Sequence, residues 1–399
     1  DLEVYAECSR RLEREKYELP TLSLEDGFNT RQAMSYGFLR WRDFFNDRQL
    51  LALALLRAGI LRIGDGGARQ ALMTLFSGLL EFNNLFASYK GEGTGAVRHM
   101  FSHHILKPER TPIEANVWGT PKSSGSFSGL FRSRLLRAIK YREAPTEVNG
   151  TETATGKVCS PPFSGDLSTW GGNPGSRAIV LSCGDSAETG LPDRSIDLVV
   201  TDPPFFDNVH YSELADFFYA WQQIGGGSTR SVAEVQDSDA ERFAAKLRTV
   251  FRECRRVLKE EGLLVFTYHH SRDDGWKSVA KAVLGAGFTV INSQPVKSEM
   301  SVAVPKAQAK EPIQLDIVLV CRKAQQKPQP QEHEKAVKAA QAKLVRLEEA
   351  GFALSKNDRK IVLYGQLLTT LRSPEEVGDI AARVEKQLML PADAVRTLF

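Results

Sequence analysis

Apolar positions change their period along this chain, and the changes divide it into elements. Between Asp47 and Gly59, leucines at 50, 51, 53, 55 and 56 give one apolar surface, with Asp47 predicted as N-cap and Gly59 as the residue just past the helix. Leu72, Leu75, Phe76, Leu79, Leu80 and Phe82 fall near helical spacing and predict a second helix over about 67–88, so the pair reads as a helical hairpin. From Ala178 the pattern shifts to short, continuously apolar runs at 178–181, 196–200, 263–268, 288–293 and 313–320. Helices are predicted between them at about 210–222, 240–259 and 275–285, the second with Phe243, Leu247, Val250, Phe251, Cys254 and Leu258 on one stripe. Buried strands alternating with amphipathic helices predict an α/β fold with a mostly parallel sheet covered on both faces. The last two strands follow each other without a helix, which predicts an antiparallel strand at the sheet edge. Further helices are expected at 333–350, 361–371 and 375–390.

Five segments follow: a helical segment over 1–89, a basic insertion and linker over 90–176, the α/β core over 177–323, a Lys/Gln/Pro linker over 324–332, and a helical C-terminal appendage over 333–399. The length of 399 residues fits more than one core. Composition is that of a globular protein, 42% hydrophobic and 25% charged, with a net charge of +3. Five scattered Cys exclude a disulfide scaffold and show no zinc-type spacing, and no apolar run reaches the eighteen residues or so of a membrane span. The expected compartment is the reducing cytoplasm. Charge is uneven: residues 90–143 carry ten Lys/Arg against four Asp/Glu, interleaved with Phe101, Trp118, Phe127 and Phe131. Cations with aromatics between them suit phosphate contact and base stacking, and the alternative is a solvated loop of ordinary surface charge.

The chemistry concentrates in Asp202-Pro203-Pro204-Phe205, which follows the apolar run 196–200 directly. Ligands of α/β sheets bind where strands end in loops. Two prolines remove two N–H donors and stiffen the chain, leaving carbonyl acceptors beside the Asp202 carboxylate. Asp202 and the Pro203 carbonyl can accept both hydrogens of an amino group while the Phe205 face stacks on a planar ring.

Asp-Pro-Pro-Phe resembles the Asp-Pro-Pro-Tyr motif of adenine-N6 DNA methyltransferases. The longer stretch Thr201–Trp221, with 90–104 and Trp118–Gly125, is similar to bacterial adenine-specific DNA methylases carrying a DUF1156 domain; the likeness spans about 36–323. That resemblance implies a Rossmann-like class I methyltransferase core and S-adenosylmethionine as methyl donor. It further implies site-specific methylation of adenine N6 in double-stranded DNA, in restriction, defence or regulation. By the same likeness, Asp202, Pro203, Pro204 and Phe205 are the catalytic residues; Asp185, Ser186 and Asp202 hold the cofactor; Asn208, Tyr211, Lys122 and Arg98 contact substrate. Glu213 is a further candidate border of the pocket. Phe205 in place of Tyr keeps the ring and loses a hydroxyl. Asp185 has a second reading, as the cap of a turn, and Cys183 is expected to be a small buried residue without chemical function. No metal is implied, and neighbouring His103 and His104 do not suggest one.

The family's glycine-rich cofactor loop has no counterpart after a buried strand; Gly91-Glu-Gly-Thr-Gly95 follows a helical stretch. A missing N-terminal segment or a partner chain completing the cofactor site is therefore expected, with an exposed strand edge and weak S-adenosylmethionine binding by this chain alone. Two alternatives stand beside DNA methylation: methylation of RNA or of a protein amide, and a non-catalytic DNA-binding subunit with a relic motif.

Overall fold

A computed structural model describes residues 1–89, 97–103, 106–109, 112–120, 123–144, 146–148, 157–159, 166–169, 178–206, 211–224, 234–235, 237–298, 313–324 and 333–389. The chain forms two compact units, one comprising 1–169, 173–181 and 210–230, the other 170–172, 182–209 and 231–399.

The first unit is helical, with α1 (Leu2–Glu15), α2 (Asp47–Leu61), α3 (Gly66–Leu80) and α4 (Tyr211–Gln222). The cap of α2 is Asn46, whose side chain accepts from the Gln49 N–H while Gln49 reaches back, a reciprocal arrangement that leaves Asp47 inside the helix. Gly59 also lies inside α2. The α3 helix stops at Leu80 because Asn84 turns its amide onto the Leu80 and Glu81 carbonyls, so the apolar residues up to 88 continue as turns. Aromatic rings hold the unit together: Phe44 stacks on Phe86 at 4.3 Å and Phe45 on Phe217 at 5.5 Å, with Trp41 and Trp221 buried around them. Thus α4, which the sequence pattern assigns to the α/β core, packs into the helical unit. The apolar run Ala178–Leu181 also belongs there, paired in parallel with Asp166–Thr169. Gly119, at φ +106°, and Gly125, at φ +67°, have no room for a Cβ against Ser126 and Phe82, which accounts for glycine at both.

The second unit is built on a four-stranded sheet of β1 (Ile196–Thr201), β2 (Leu258–Tyr268), β3 (Phe288–Lys297) and β4 (Leu315–Lys323) in the order β1-β2-β4-β3. β1 and β2 are parallel, and β4 runs antiparallel to both β2 and β3, so three strands share one direction. The reversed strand lies inside the sheet, not at its edge. Its alternation explains the place: Leu315, Ile317, Leu319 and Cys321 are all fully buried, whereas β3 exposes Ile291 and Val296. β1 has a neighbouring strand on one side only among the described residues, and its Leu198 and Val200 side chains are 51% and 69% exposed.

Helices α5 (Ala240–Val257) and α6 (Asp273–Gly285) pack on the sheet, α5 through Phe243, Leu247 and Phe251. The C-terminal helices α7 (His333–Glu349), α8 (Lys356–Leu367) and α9 (Ile380–Leu388) are part of the same hydrophobic core, not an appendage. In α8, Ile361 to Leu367 are all buried, and Tyr364 stacks on Trp276 of α6 at 4.9 Å with planes 2° apart. A helical stretch buried on every side must be covered on every side, and here β3 and β4 of the sheet cover one side while α7 and α9 cover others.

Near the end of α5, Glu253 accepts two bonds from Arg256 and two from Thr189. The Arg256 guanidinium holds its carboxyl at about 2, well below its ordinary 4.5. A depressed carboxylate stabilises the fold above its unfolded pKa and loses that contribution as pH falls through the folded one. The urea midpoint is therefore expected to fall between about pH 4.5 and 2, and Glu253→Gln should flatten that part of the profile.

Candidate active site

β1 delivers Asp202 at its C-terminal end, and the two prolines force the chain out of the sheet. Asp202 is exposed; it does not enter the packed interior. Thr267, near the end of the neighbouring β2, donates its hydroxyl to Oδ1 of Asp202 and is the carboxylate's one partner among the described residues. Pro203 is buried, and its carbonyl makes no hydrogen bond among the described residues. An oxygen of Asp202 and the Pro203 carbonyl are thus both available as acceptors.

Phe205 is half-buried. Its ring meets Tyr268 edge-on at 5.5 Å and tilts against His269 at 4.6 Å. His269 is fixed in turn by a bond from its Nδ1 to Asp316 on β4. Phe206 is the anchor of the turn: it takes a left-handed φ of 47° and sinks to 3% exposure between Phe243 and His270. Such a conformation costs about 1–2 kcal/mol for a bulky residue, so its burial has to hold it there. His270 accepts the Arg272 N–H, and its carbonyl takes the Trp276 indole N–H at 2.8 Å. Thr267, His269, Asp316 and Phe206 support the motif and were not singled out by the sequence. Only the parallel β1–β2 register, which brings Thr201 beside Phe266, could have pointed to Thr267.

Asp185 is exposed, and its Oδ1 accepts from the Ala187 N–H at 2.8 Å, the turn-capping arrangement, with Ser186 exposed beside it. No described contact joins Asp185 to Asp202. Arg98 lies half-buried in the two-residue strand Val97–Arg98, and Tyr211 opens α4 and is 54% exposed. Lys122 and Asn208 fall outside the described residues. Glu213, in α4 of the helical unit, accepts from the Phe28 and Asn29 N–H groups at 3.0 and 2.6 Å. Cys183 is exposed, contrary to the expected buried position. Burial pushes the Cys254 thiol up to about 11, which leaves it inert. Among the described residues no group of three or more His, Cys, Asp or Glu side chains could hold a metal ion, and no helix is long and apolar enough to cross a membrane.

The sheet with its flanking helices is a mixed α/β core consistent with a Rossmann-like, class I methyltransferase fold. Residues 196–366, which contain that sheet, match the family model N6_N4_Mtase, described as DNA methylase, so this segment is DNA-methylase-like. No curated protein matches. Among solved structures, TTHA0409 of Thermus thermophilus, complexed with S-adenosyl-L-methionine, is 19% identical at a TM-score of 0.22, over 39% of this chain and 57% of that one. PvuII DNA methyltransferase, cytosine-N4-specific, is 11% identical at a TM-score of 0.24, over 51% of this chain and 91% of that one. The chain thus spans little more than half of that Thermus structure's chain.

Proposed function

We propose that this protein is a site-specific DNA methyltransferase that transfers the methyl group of S-adenosylmethionine to the exocyclic N6 amino group of adenine in double-stranded DNA. One observation carries the proposal: a strand end where, among the described residues, an Asp202 oxygen and the Pro203 carbonyl close to Phe205 have no hydrogen-bond donor. An adenine stacked on Phe205 would donate one amino hydrogen to each acceptor. Those bonds draw the nitrogen toward tetrahedral geometry and free its lone pair, which is otherwise delocalised into the ring. The N–C bond then forms in line as the C–S bond breaks, and the amino proton leaves toward the Asp202 side. Rate comes from placement and fixed dipoles, and no covalent enzyme intermediate is needed.

The donor set present suits the cofactor in part: Asp185, Ser186 and Asp202 are exposed acceptors for its amino and hydroxyl groups. S-adenosylmethionine would be held by those three residues and supplies, when bound, an activated sulfonium methyl. In the sequence no apolar strand run is followed by a Gly-x-Gly turn, and we propose that a partner chain or a further segment completes the cofactor site.

DNA contact is assigned to the basic segment, with Arg98, Lys122, Asn208 and Tyr211 as substrate contacts. Its clearest element is the continuous helical run 127–143, rooted by buried Phe127 and Leu130. Residues 136–144 are all exposed, and Arg132, Arg137, Lys140 and Arg142 form no ion pair among the described residues. Trp118, 63% exposed, stacks on Phe127 at 5.9 Å at its root. Replacing Arg137, Lys140 and Arg142 together by Gln is expected to weaken duplex binding in 50 mM salt and to reduce the slope of log affinity against log salt by about 2–3.

Labelled S-adenosylmethionine, duplex DNA and nucleoside analysis test the proposal, and N6-methyladenine is the expected product. Label in N4-methylcytosine would move the acceptor to cytosine, and label in RNA or protein would replace the substrate class. Salt-sensitive DNA binding with no transfer would leave a binding subunit.

A further inference from the structure

At the other end of the sheet from Asp202 is a polar cavity of about 420 Å³, within the range of small-ligand sites. It opens where β2 begins at Leu258 and β4 ends at Lys323. β1 begins there too, and its six residues put Asp202 about 20 Å away along the strand. Five cations line the cavity, Arg194, Arg252, Arg255, Arg256 and Lys323, against the carboxylates of Asp193 and Glu260.

Local structure accounts for part of this cluster. Arg255 and Arg256 stand in the last turn of α5, where cations complement the helix dipole. Arg256 is bound by Glu253 and Asp193, and Arg255 donates to the Gly287 carbonyl at 3.4 Å. Lys323 is pinned to the Leu258 carbonyl at 2.7 Å, with its side chain only 8% exposed and Glu260 3.8 Å away. Arg194 and Arg252 remain, and neither has a partner among the described residues. Arg194 moreover sits at a left-handed φ of 52°, where Gly or Asn would be less strained, and its N–H is tied to the Arg256 carbonyl at 3.0 Å. Burial, and behind it the charges of Arg255 and Arg194, pushes the Lys323 ammonium below its ordinary range, against the opposing pull of Glu260. Like charges are thus gathered in one concavity without enough internal anions to neutralise them.

We propose that this cavity is a binding site for a multiply charged phosphate anion, with Arg194 and Arg252 as its principal ligands and Lys323 as a fixed charge at its wall. Guanidinium groups bind phosphate oxygens in pairs, and a wall of Arg and Lys suits two or three adjacent phosphates. Ala286 is the one small apolar residue in the wall and no aromatic side chain lines it, so the site offers no ring on which a base could stack. Its ligand is recognised by phosphate alone, either as a free oligophosphate or as a run of nucleic-acid backbone. The proposal is independent of methyl transfer.

Calorimetric titration of the full chain with inorganic triphosphate at low salt tests it. Saturable binding is expected, and Arg194→Gln with Arg252→Gln should weaken it about tenfold or more. Both residues are exposed and their side chains are unpaired among the described residues, so the double variant should keep the wild-type unfolding temperature. The triple variant in the 127–143 helix serves as control and should bind triphosphate as wild type does. No saturable binding, or equal affinity in the Arg194/Arg252 variant, overturns the proposal. A second titration separates the two sources. If triphosphate displaces a 20-base-pair duplex from wild type but not from the double variant, the cavity holds DNA backbone; if the duplex is unaffected, it holds a free oligophosphate.

Discussion

Asp202→Ala should lower the rate of methyl transfer by about 10²–10³-fold, the loss typical of removing one fixed group that stabilises a transition state. The carboxylate meets the amino hydrogens as the nitrogen becomes tetrahedral, so its removal acts on kcat more than on DNA affinity. Asp202→Asn keeps one acceptor oxygen and loses the charge, and an intermediate rate is expected. Thr267→Val removes the hydroxyl that orients Oδ1. About a tenfold loss in kcat with little change in KM is expected there, since one neutral hydrogen bond to a charged group is at stake. Transfer of labelled methyl to duplex DNA, at saturating cofactor and DNA, measures all three. A wild-type rate in Asp202→Ala would remove the Asp-Pro-Pro turn from the chemistry.

The motif and the strand that carries it were legible in the sequence for one reason: a six-residue strand with four apolar positions and an Asp-Pro-Pro turn are both local signals. What supports the motif is not local. Thr267 and His269 reach the site through the register of β2 beside β1, and Asp316 arrives through β4, far along the chain from Asp202. Phe206 looks in sequence like a second copy of Phe205, yet one ring is half-exposed for stacking while the other is buried at a left-handed φ. Element identity was likewise legible while membership was not. The Tyr211–Gln222 helix has an ordinary amphipathic pattern, and only the aromatic contacts of Phe217 and Trp221 with Phe45 assign it to the helical unit. Residues 356–367 look like a modest mixed helix because Asp358, Tyr364 and Gln366 are polar in sequence. Each finds a partner on folding, so the helix can be buried continuously from Ile361 to Leu367.

Asp358 makes that burial a testable matter. It is fully buried, and its carboxylate accepts from the Ser355 N–H and hydroxyl at 3.0 and 2.9 Å and from the Gln314 and Leu315 N–H groups at 2.8 and 3.1 Å. Two of those donors begin α8 and two begin β4, so one side chain joins the C-terminal helix to the central strand of the sheet. Asp358→Ala would leave the buried Leu315 N–H and the half-buried Gln314 N–H without acceptors, at about 1–3 kcal/mol each. A total loss of about 3–5 kcal/mol is expected, a large share of a typical domain's stability. With a urea slope of about 2 kcal/mol/M, the midpoint should fall by about 2 M. Asp358→Asn retains an acceptor and should lose less. Asp316 lies one residue beyond Leu315 and fixes His269 beneath the Phe205 ring, so the same substitution should slow methyl transfer at temperatures where the protein is still folded. An unchanged midpoint in Asp358→Ala would mean that the C-terminal helices stand apart from the sheet, and the support of Phe205 would then have to come from β2 alone.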